Sequence, residues 1–143
     1  MVCLSIGYPI LENQLKIIQA QRYTNPLLEL QPVTNAQNYL NSVRMTDAVL
    51  CYAIQLCEAT REHPLVELGI SPRGVSALVK MARASAVLKG RNYIVPEDIQ
   101  NVFCDVCAHR MVLRPQARVE GVSAEYLLRD VMNWIKPPTA SSR

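Results

Sequence analysis

The segment from Leu68 to Gly74 carries the pattern in this sequence with the most direct chemical implication. Ser71 followed by Pro72 predicts the start of a helix, because serine caps a first turn and a first-position proline needs no amide hydrogen. Arg73 then falls in the first turn, where the helix dipole is already positive. A bound anion would resolve this conflict, since free amides, the dipole and the guanidinium would converge on one phosphate. The alternative is a solvated arginine whose penalty is screened by water.

Motifs of self-contained enzymes are absent from the sequence. It contains no phosphate loop of the form GxxxxGKS or GxxxxGKT, no HExxH, no GxSxG and no Gly-rich dinucleotide fingerprint. His63 and His109 have no second histidine or cysteine at metal-ligand spacing. We therefore expect neither a metal site nor a complete catalytic centre in these residues.

Cysteine usage indicates the compartment. The five cysteines are Cys3, Cys51, Cys57, Cys104 and Cys107. An odd number without a basic-flanked signal peptide predicts reduced, mostly buried thiols in a cytoplasmic protein. Cys104 and Cys107 form a CxxC, but no second pair and no βαβ pattern accompanies it, which disfavours a zinc or redox site. No stretch reaches the roughly 18 apolar residues of a membrane-spanning helix.

Composition predicts one globular domain. The chain has 143 residues, of which 50% are hydrophobic and 19% charged, and this apolar content excludes a disordered chain. The net charge of +3 is too small to argue by itself for a DNA or membrane partner.

Helix caps and apolar spacing predict an all-α fold, a bundle of about five helices preceded by a short strand. Thr34 and Gln37 have the spacing of a capping box, and Thr46, Ser71 and Ser123 are further N-caps. The predicted elements are a strand over 2–6, a helix over 10–22, a loop over 23–33, helices over 34–43, 47–63, 72–90 and 96–107, a Pro-interrupted connection over 111–119 and a last helix from 124.

Several of these segments together resemble the lid domain of the MoxR family of AAA+ ATPases. The most specific are Gly69–Gly74 at a helix start and Lys89–Ile99, which reads KGRNYIVPEDI. Further matching segments are 4–9, 30–33, 59–64, 109–113 and 120–121. The resemblance covers nearly the whole chain except the tail.

The resemblance implies a role for individual residues. Arg73 corresponds to the second-sensor arginine, which reaches from the lid to the γ-phosphate of ATP, and Ser71 and Pro72 belong to the same motif. Tyr8 and Pro9 match the hinge beside the adenine and are candidate base-pocket residues. Gly74 replaces the alanine usual in the family, which we expect to loosen the helix start.

The resemblance also implies a division of the chain and a missing part. Residues 1–9 would be the end of the AAA+ core and the hinge, 10–136 the helical lid, and 137–143 a flexible tail. The phosphate loop, the magnesium-binding acids, the first sensor and the arginine finger would lie upstream of Met1. The fragment is therefore expected to be inactive and to hold no cofactor alone, within a parent ATPase that uses ATP and Mg²⁺.

The partners that the resemblance implies are proteins. They are the chain's own core, neighbouring subunits in a ring that is expected to be hexameric, and client proteins. The clients would be metalloenzymes or proteins with von Willebrand factor A domains, remodelled or assembled by a cytoplasmic chaperone. Nucleic acid and membrane are not expected as partners.

Two other functions fit parts of the sequence. The segment Tyr93–Ile99 also resembles part of a histone-fold unit, and arginines at 83, 91, 110, 114 and 118 offer phosphate contacts for a nucleic-acid-binding module. Acids such as Glu97 and Asp98 interrupt that basic run. A free-standing helical adaptor is the remaining alternative, with Leu27, Leu28 and Leu30 as an exposed anchor.

Overall fold

The computed structural model describes Ile10 and residues 30–138, and these residues confirm the all-α class. The predicted strand over 2–6, the rest of the predicted helix over 10–22 and the side chains of Leu27, Leu28 and Leu30 lie outside the described residues. The described part forms six helices, two short strands and one 3₁₀ turn. They are α1 (Leu30–Ser42), α2 (Asp47–Glu62), β1 (Val66–Leu68), α3 (Pro72–Leu88), α4 (Pro96–Cys107), the 3₁₀ turn (Ala108–Arg110), β2 (Val112–Leu113), α5 (Pro115–Val119) and α6 (Ala124–Trp134).

Three helices begin where the sequence predicts. The hydroxyls of Thr46, Ser71 and Ser123 each accept the amide three residues further on, at 3.4, 3.3 and 3.2 Å. Each therefore satisfies one amide of a first turn that has no partner within its own helix. Gly90 has a positive φ of 72°, and α3 ends just before it at Leu88, as the glycine predicts.

The start of α1 differs from the prediction. The helix begins at Leu30, so Thr34 lies inside it and the predicted capping box at Thr34 and Gln37 is wrong. The loop over 23–33 was predicted because Pro26 and Pro32 interrupt that segment. Pro32 nevertheless lies in the first turn of α1, where proline is tolerated because the amides there have no helical acceptor. The predicted end near Val43 agrees with the observed end at Ser42.

The core lies among α2, α3, α4 and α6, which bury one apolar stripe each. Its largest fully buried side chains include Tyr52 and Leu56 from α2, Leu78 from α3, Phe103 from α4 and Leu128 from α6. Small residues on α3 such as Ala82 and Ala86 are also fully buried. The core therefore fixes α3, the helix that carries Arg73, against three other helices.

A small antiparallel sheet was missed by sequence reasoning. In it Val66 pairs with Leu113, and Leu68 pairs with Val112, although 111–119 was predicted to be only a connection. The Arg114 amide extends the pairing by donating to the Leu65 carbonyl at 2.9 Å. The following α5 was also missed, and it begins with Pro115 at a position that suits proline. The sheet joins the end of α2 to the segment after α4.

The described cysteines are free thiols in different surroundings. Cys57 and Cys107 are buried, Cys104 is partly buried and Cys51 is exposed, while Cys3 lies outside the described residues. A hydrogen bond with Cys57, together with burial, raises the pKa of the Cys107 thiol well above its usual range. The buried partner of Cys107 is thus Cys57 on α2. None of the helices in the described part is both long and apolar enough to cross a membrane.

Candidate functional site

Arg73 is the second residue of α3, directly after Pro72 and its cap Ser71. Its side chain is exposed, and within residues 30–138 it has no hydrogen bond and no ion pair. No acid lies in the first turn of this helix. The conflict between the guanidinium and the positive helix end therefore has no counter-charge in the described part of the chain.

The backbone at the same helix end offers few additional donors. Pro72 has no amide hydrogen, and the Gly74 amide donates to the Ser71 carbonyl at 2.8 Å and to the Ser71 hydroxyl at 3.3 Å. The Arg73 amide is the remaining first-turn donor in this arrangement. An anion here would thus be held mainly by the Arg73 guanidinium, with less help from free amides than the sequence alone suggested.

Two residues in the last turn of α2, Thr60 and Arg61, form hydrogen bonds with Ile70, the residue before the cap Ser71. The Ile70 amide donates to the Thr60 hydroxyl at 3.0 Å, and the Ile70 carbonyl accepts from Nε of Arg61 at 2.8 Å. The Thr60 hydroxyl in turn donates to the Cys57 carbonyl at 2.6 Å. Thr60 and Ile70 are fully buried, so the two bonds of the Thr60 hydroxyl are shielded from water, while the bond from Arg61 is partly buried. They fix the direction in which α3, and with it Arg73, leaves the loop.

Two glycines allow the loop to approach this closely. A Cβ at Gly69 would lie 2.8 Å from the backbone nitrogen and Cα of Arg61, and a Cβ at Gly74 would lie 2.5 Å from Cγ2 of Ile70. Gly74 is buried against Ile70, whose side chain is itself fully buried. The glycine that was expected to loosen the helix start therefore permits close packing at that point.

We expect Thr60→Val to weaken the fold and the anchoring of this loop. The substitution keeps the shape of the side chain but removes the hydroxyl that accepts the buried Ile70 amide. Leaving such a donor unsatisfied costs about 1–3 kcal/mol, which urea unfolding would measure. Thr60→Ser, which keeps the hydroxyl, is the matched control and should lose much less. Equal losses for the two variants would show that the hydroxyl has no anchoring role.

A second cluster fixes the far end of α3 to the start of α4. The Asp98 carboxylate is fully buried and accepts both terminal nitrogens of Arg91, at 2.6 and 2.7 Å. Nζ of Lys89 lies 3.1 Å from the same carboxylate, and the Val95 amide donates to it at 3.1 Å. Burial opposes ionisation of Asp98, but hydrogen bonds from Arg91, Val95 and Lys89 outweigh it and lower its pKa to about 2. Asp98 is therefore a buried anion held by two cations.

This cluster also bears on the residues suggested for nucleic-acid binding. Arg91 is a candidate phosphate contact by sequence, but the structure commits its guanidinium to Asp98 and places it 5.6 Å from the ring centre of Tyr93. Asp98, one of the acids expected to interrupt a basic surface, is buried. The sequence analysis missed this pair, although the closeness of Lys89, Arg91 and Asp98, within ten residues of one another, is a signal that could have revealed it.

The candidate residues are distributed as follows. Ser71, Pro72 and Arg73 lie together at the start of α3, whereas Tyr8 and Pro9 lie outside the described residues. The positioning roles of Thr60 and Arg61 were missed, although both fall in a segment that carries the resemblance. Among the described residues, no group of three or more histidine, cysteine, aspartate or glutamate side chains is placed to hold a metal ion.

Comparison with known proteins gives a consistent picture. The model of the family described as AAA lid domain matches residues 58–131, which include Thr60, the start of α3 and Asp98. The Bacillus subtilis protein YeaC, described as uncharacterized, is 37% identical over 97% of this chain and 45% of its own length. The Mycobacterium tuberculosis protein named chaperone MoxR1 is 28% identical over 97% of this chain and 40% of its own length.

Solved structures agree with the sequence matches. The crystal structure of a Cytophaga hutchinsonii protein described as a candidate ATPase superposes with a TM-score of 0.75 and 25% identity. The match covers 97% of this chain and 47% of that protein. The chain thus spans less than half the length of the relatives it matches. Because the family model matches just over half of its residues, the chain belongs to the AAA lid domain family, in the form found in MoxR-type AAA+ ATPases.

Proposed function

We propose that this chain is the lid of a MoxR-type AAA+ ATPase in which Arg73 is the second sensor for the γ-phosphate of ATP. The observation that carries the proposal is the exposed guanidinium in the first turn of α3, without a counter-charge among the described residues. A phosphate oxygen supplied from a separate nucleotide-binding core would provide that charge. Ser71 and Pro72 contribute by setting the start of the helix.

The nucleotide and Mg²⁺ would be held by that core and would supply the phosphoryl-transfer chemistry. The residues of this chain would respond to whether the γ-phosphate is present. Arg73 presents the cation, while Thr60 and Arg61 hold the loop before α3 so that its position follows the body of the lid. The lid would favour a closed position while the γ-phosphate is present and be released when that differential contact disappears.

The wider assignments form part of the same proposal. Tyr8 and Pro9 would line the hinge beside the adenine, residues 1–9 would end the core, and 10–136 would form the lid. The lid would pack on neighbouring subunits of a ring in the cytoplasm, and its rotation would remodel a bound client, such as a protein with a von Willebrand factor A domain. The relative named as a chaperone supports this direction.

Two measurements test the proposal. An in-frame phosphate-loop motif is expected in the gene upstream of the codon for Met1. In the full-length protein, fluorophores on core and lid should report a closer lid with a non-hydrolysable ATP analogue than with ADP, because ADP lacks the γ-phosphate that Arg73 would contact. The same energy transfer with both nucleotides would contradict a γ-phosphate-driven lid.

Of the two remaining alternatives, the nucleic-acid-binding module loses support and the adaptor stays a prediction for the gene sequence to test. The ion pair between Arg91 and Asp98 removes one arginine from the proposed nucleic-acid surface. The free-standing adaptor would require a stop codon just upstream of the codon for residue 1. The gene sequence upstream of that codon therefore distinguishes the adaptor hypothesis from the lid hypothesis without an experiment on the protein.

A further inference from the structure

A pocket with both polar and apolar lining lies between α1 and α3, beyond the start of α3 that carries Arg73. Its volume is about 360 Å³, and it is lined by Gln37, Leu40, Asn41, Lys80 and Arg83. Small-ligand sites in proteins have volumes of roughly 300–1,000 Å³. The pocket is therefore large enough for a small molecule, beyond a single water or ion.

The two helices that form the pocket carry no acid. α1 (LQPVTNAQNYLNS) has no charged residue, and the charged residues of α3 (PRGVSALVKMARASAVL) are Arg73, Lys80 and Arg83. Two of these three cations line the pocket. The local electrostatic field therefore favours an anion.

Arg83 adds an independent observation. Its Nε is buried and has no hydrogen-bond partner within the described residues. A buried donor without an acceptor is unfavourable, and native structures satisfy almost all such groups. Arg83 lines the pocket, and because its Nε is closed to solvent in this structure, a turn of the side chain would bring Nε to an acceptor bound there.

The other polar groups of the pocket are also able to donate. Lysine and arginine side chains are donors only, and the amide groups of Gln37 and Asn41 each offer an NH₂. A ligand that matches them must accept several hydrogen bonds and carry negative charge. Phosphate esters and carboxylates have this chemistry.

We propose that the α1–α3 pocket binds a small oxyanionic ligand, a phosphate ester or a polycarboxylate. Arg83 and Lys80 are the charged donors, and Gln37 and Asn41 are neutral donors. Lys80 lies seven residues after Arg73, about 10 Å further along the helix axis, so this site is separate from the candidate sensor. The inference does not depend on the proposed lid function.

Calorimetric titration of the 143-residue chain at low ionic strength, with pyrophosphate and with citrate, tests the proposal. We expect saturable binding of at least one of the two anions. The anion that binds more tightly indicates whether the pocket prefers a phosphate or a polycarboxylate. Lys80→Gln combined with Arg83→Gln should weaken binding by about tenfold or more. Arg118→Ala, which removes an exposed arginine on α5 outside the pocket, is the matched control and should leave binding unchanged, whereas binding that Arg73→Ala abolished would lie at the sensor.

A second variant protects the test against a folding defect. Gln37→Glu together with Asn41→Asp changes two exposed residues of α1 and brings carboxylates to the pocket. It should also weaken binding by about tenfold through charge repulsion. The proposal is overturned if neither anion binds, if both double variants bind as the unsubstituted chain does, or if Arg73→Ala abolishes binding.

Discussion

Asp98→Ala is expected to destabilise this chain strongly. The change leaves Arg91 without its bidentate carboxylate and removes the acceptor of the Val95 amide. Removing one partner of a buried ion pair costs about 3–5 kcal/mol, because the remaining charge stays partly desolvated. Urea unfolding followed by circular dichroism would measure the loss.

Asp105→Ala on the same helix is the matched control. Asp105 is exposed, and its loss should change the unfolding free energy by no more than about 0.5 kcal/mol. Asp98→Asn should give an intermediate loss, because an amide oxygen still accepts the Val95 amide while the charge is gone. A loss for Asp98→Ala no larger than that for Asp105→Ala would show that the pair does not hold α3 and α4 together.

The same carboxylate predicts a dependence on pH. The folded-state pKa of Asp98 is lowered to about 2 from an ordinary value of 3.8, so its contribution is complete above about pH 4. It is lost as the pH falls from about 4 through 2, when the buried carboxylate becomes protonated. The difference in unfolding free energy between the unsubstituted chain and Asp98→Ala should therefore shrink across this range. A difference that stays constant would contradict the lowered pKa.

Arg73→Ala is expected to lower ATP turnover of the full-length protein by about a hundredfold. The guanidinium would stabilise negative charge on the transferring phosphoryl group, and removal of one such preorganised donor costs on the order of 10²–10³ in rate. Because Arg73 is exposed and has no hydrogen bond or ion pair within residues 30–138, the lid itself should remain folded. Steady-state phosphate release would measure the turnover.

Two controls separate sensing from a general loss of charge. Arg118→Ala removes another exposed arginine, on α5, and should leave turnover unchanged. Arg73→Lys keeps the charge but not the planar fork, so turnover should recover only in part. Unchanged turnover in Arg73→Ala would remove the sensor assignment while leaving the family membership intact.

Helix boundaries were predictable where local chemistry determines them. Thr46, Ser71 and Ser123 are caps whose side chains bond to the amide three residues away, so the information lies within four residues. Thr34 has the same local pattern but lies inside α1, because the helix extends back to Leu30 through a tolerated proline. A capping pattern in the sequence is thus compatible with the start of a helix at that residue but does not prove that a helix starts there.

The contacts between distant segments were not predictable in this way. β1 has three residues and β2 has two, too few for an alternating pattern to be recognised, and they pair across the whole of α3 and α4. The bond from Thr60 to Ile70 likewise depends on how the loop folds back onto α2. For the candidate site, Arg73 was predicted from its misplaced charge and stays a prediction, whereas the contacts of Thr60 and Arg61 with Ile70 became visible only in the three-dimensional arrangement.

The β1–β2 pairing has a consequence for the order of folding. The pairing brings together two strands that are separated in sequence by α3 and α4. Gly69 and Ile70, which set the direction of α3, directly follow β1. Helices form from local contacts, whereas ends far apart in sequence meet only after an entropic cost of loop closure. The bonds that aim Arg73 join Ile70 to Arg61 and Thr60, only nine and ten residues away, so they are expected to form with α2 and α3 before the sheet closes. Partly folded chains would then already present the first turn of α3 in its native direction, before β1 and β2 have paired.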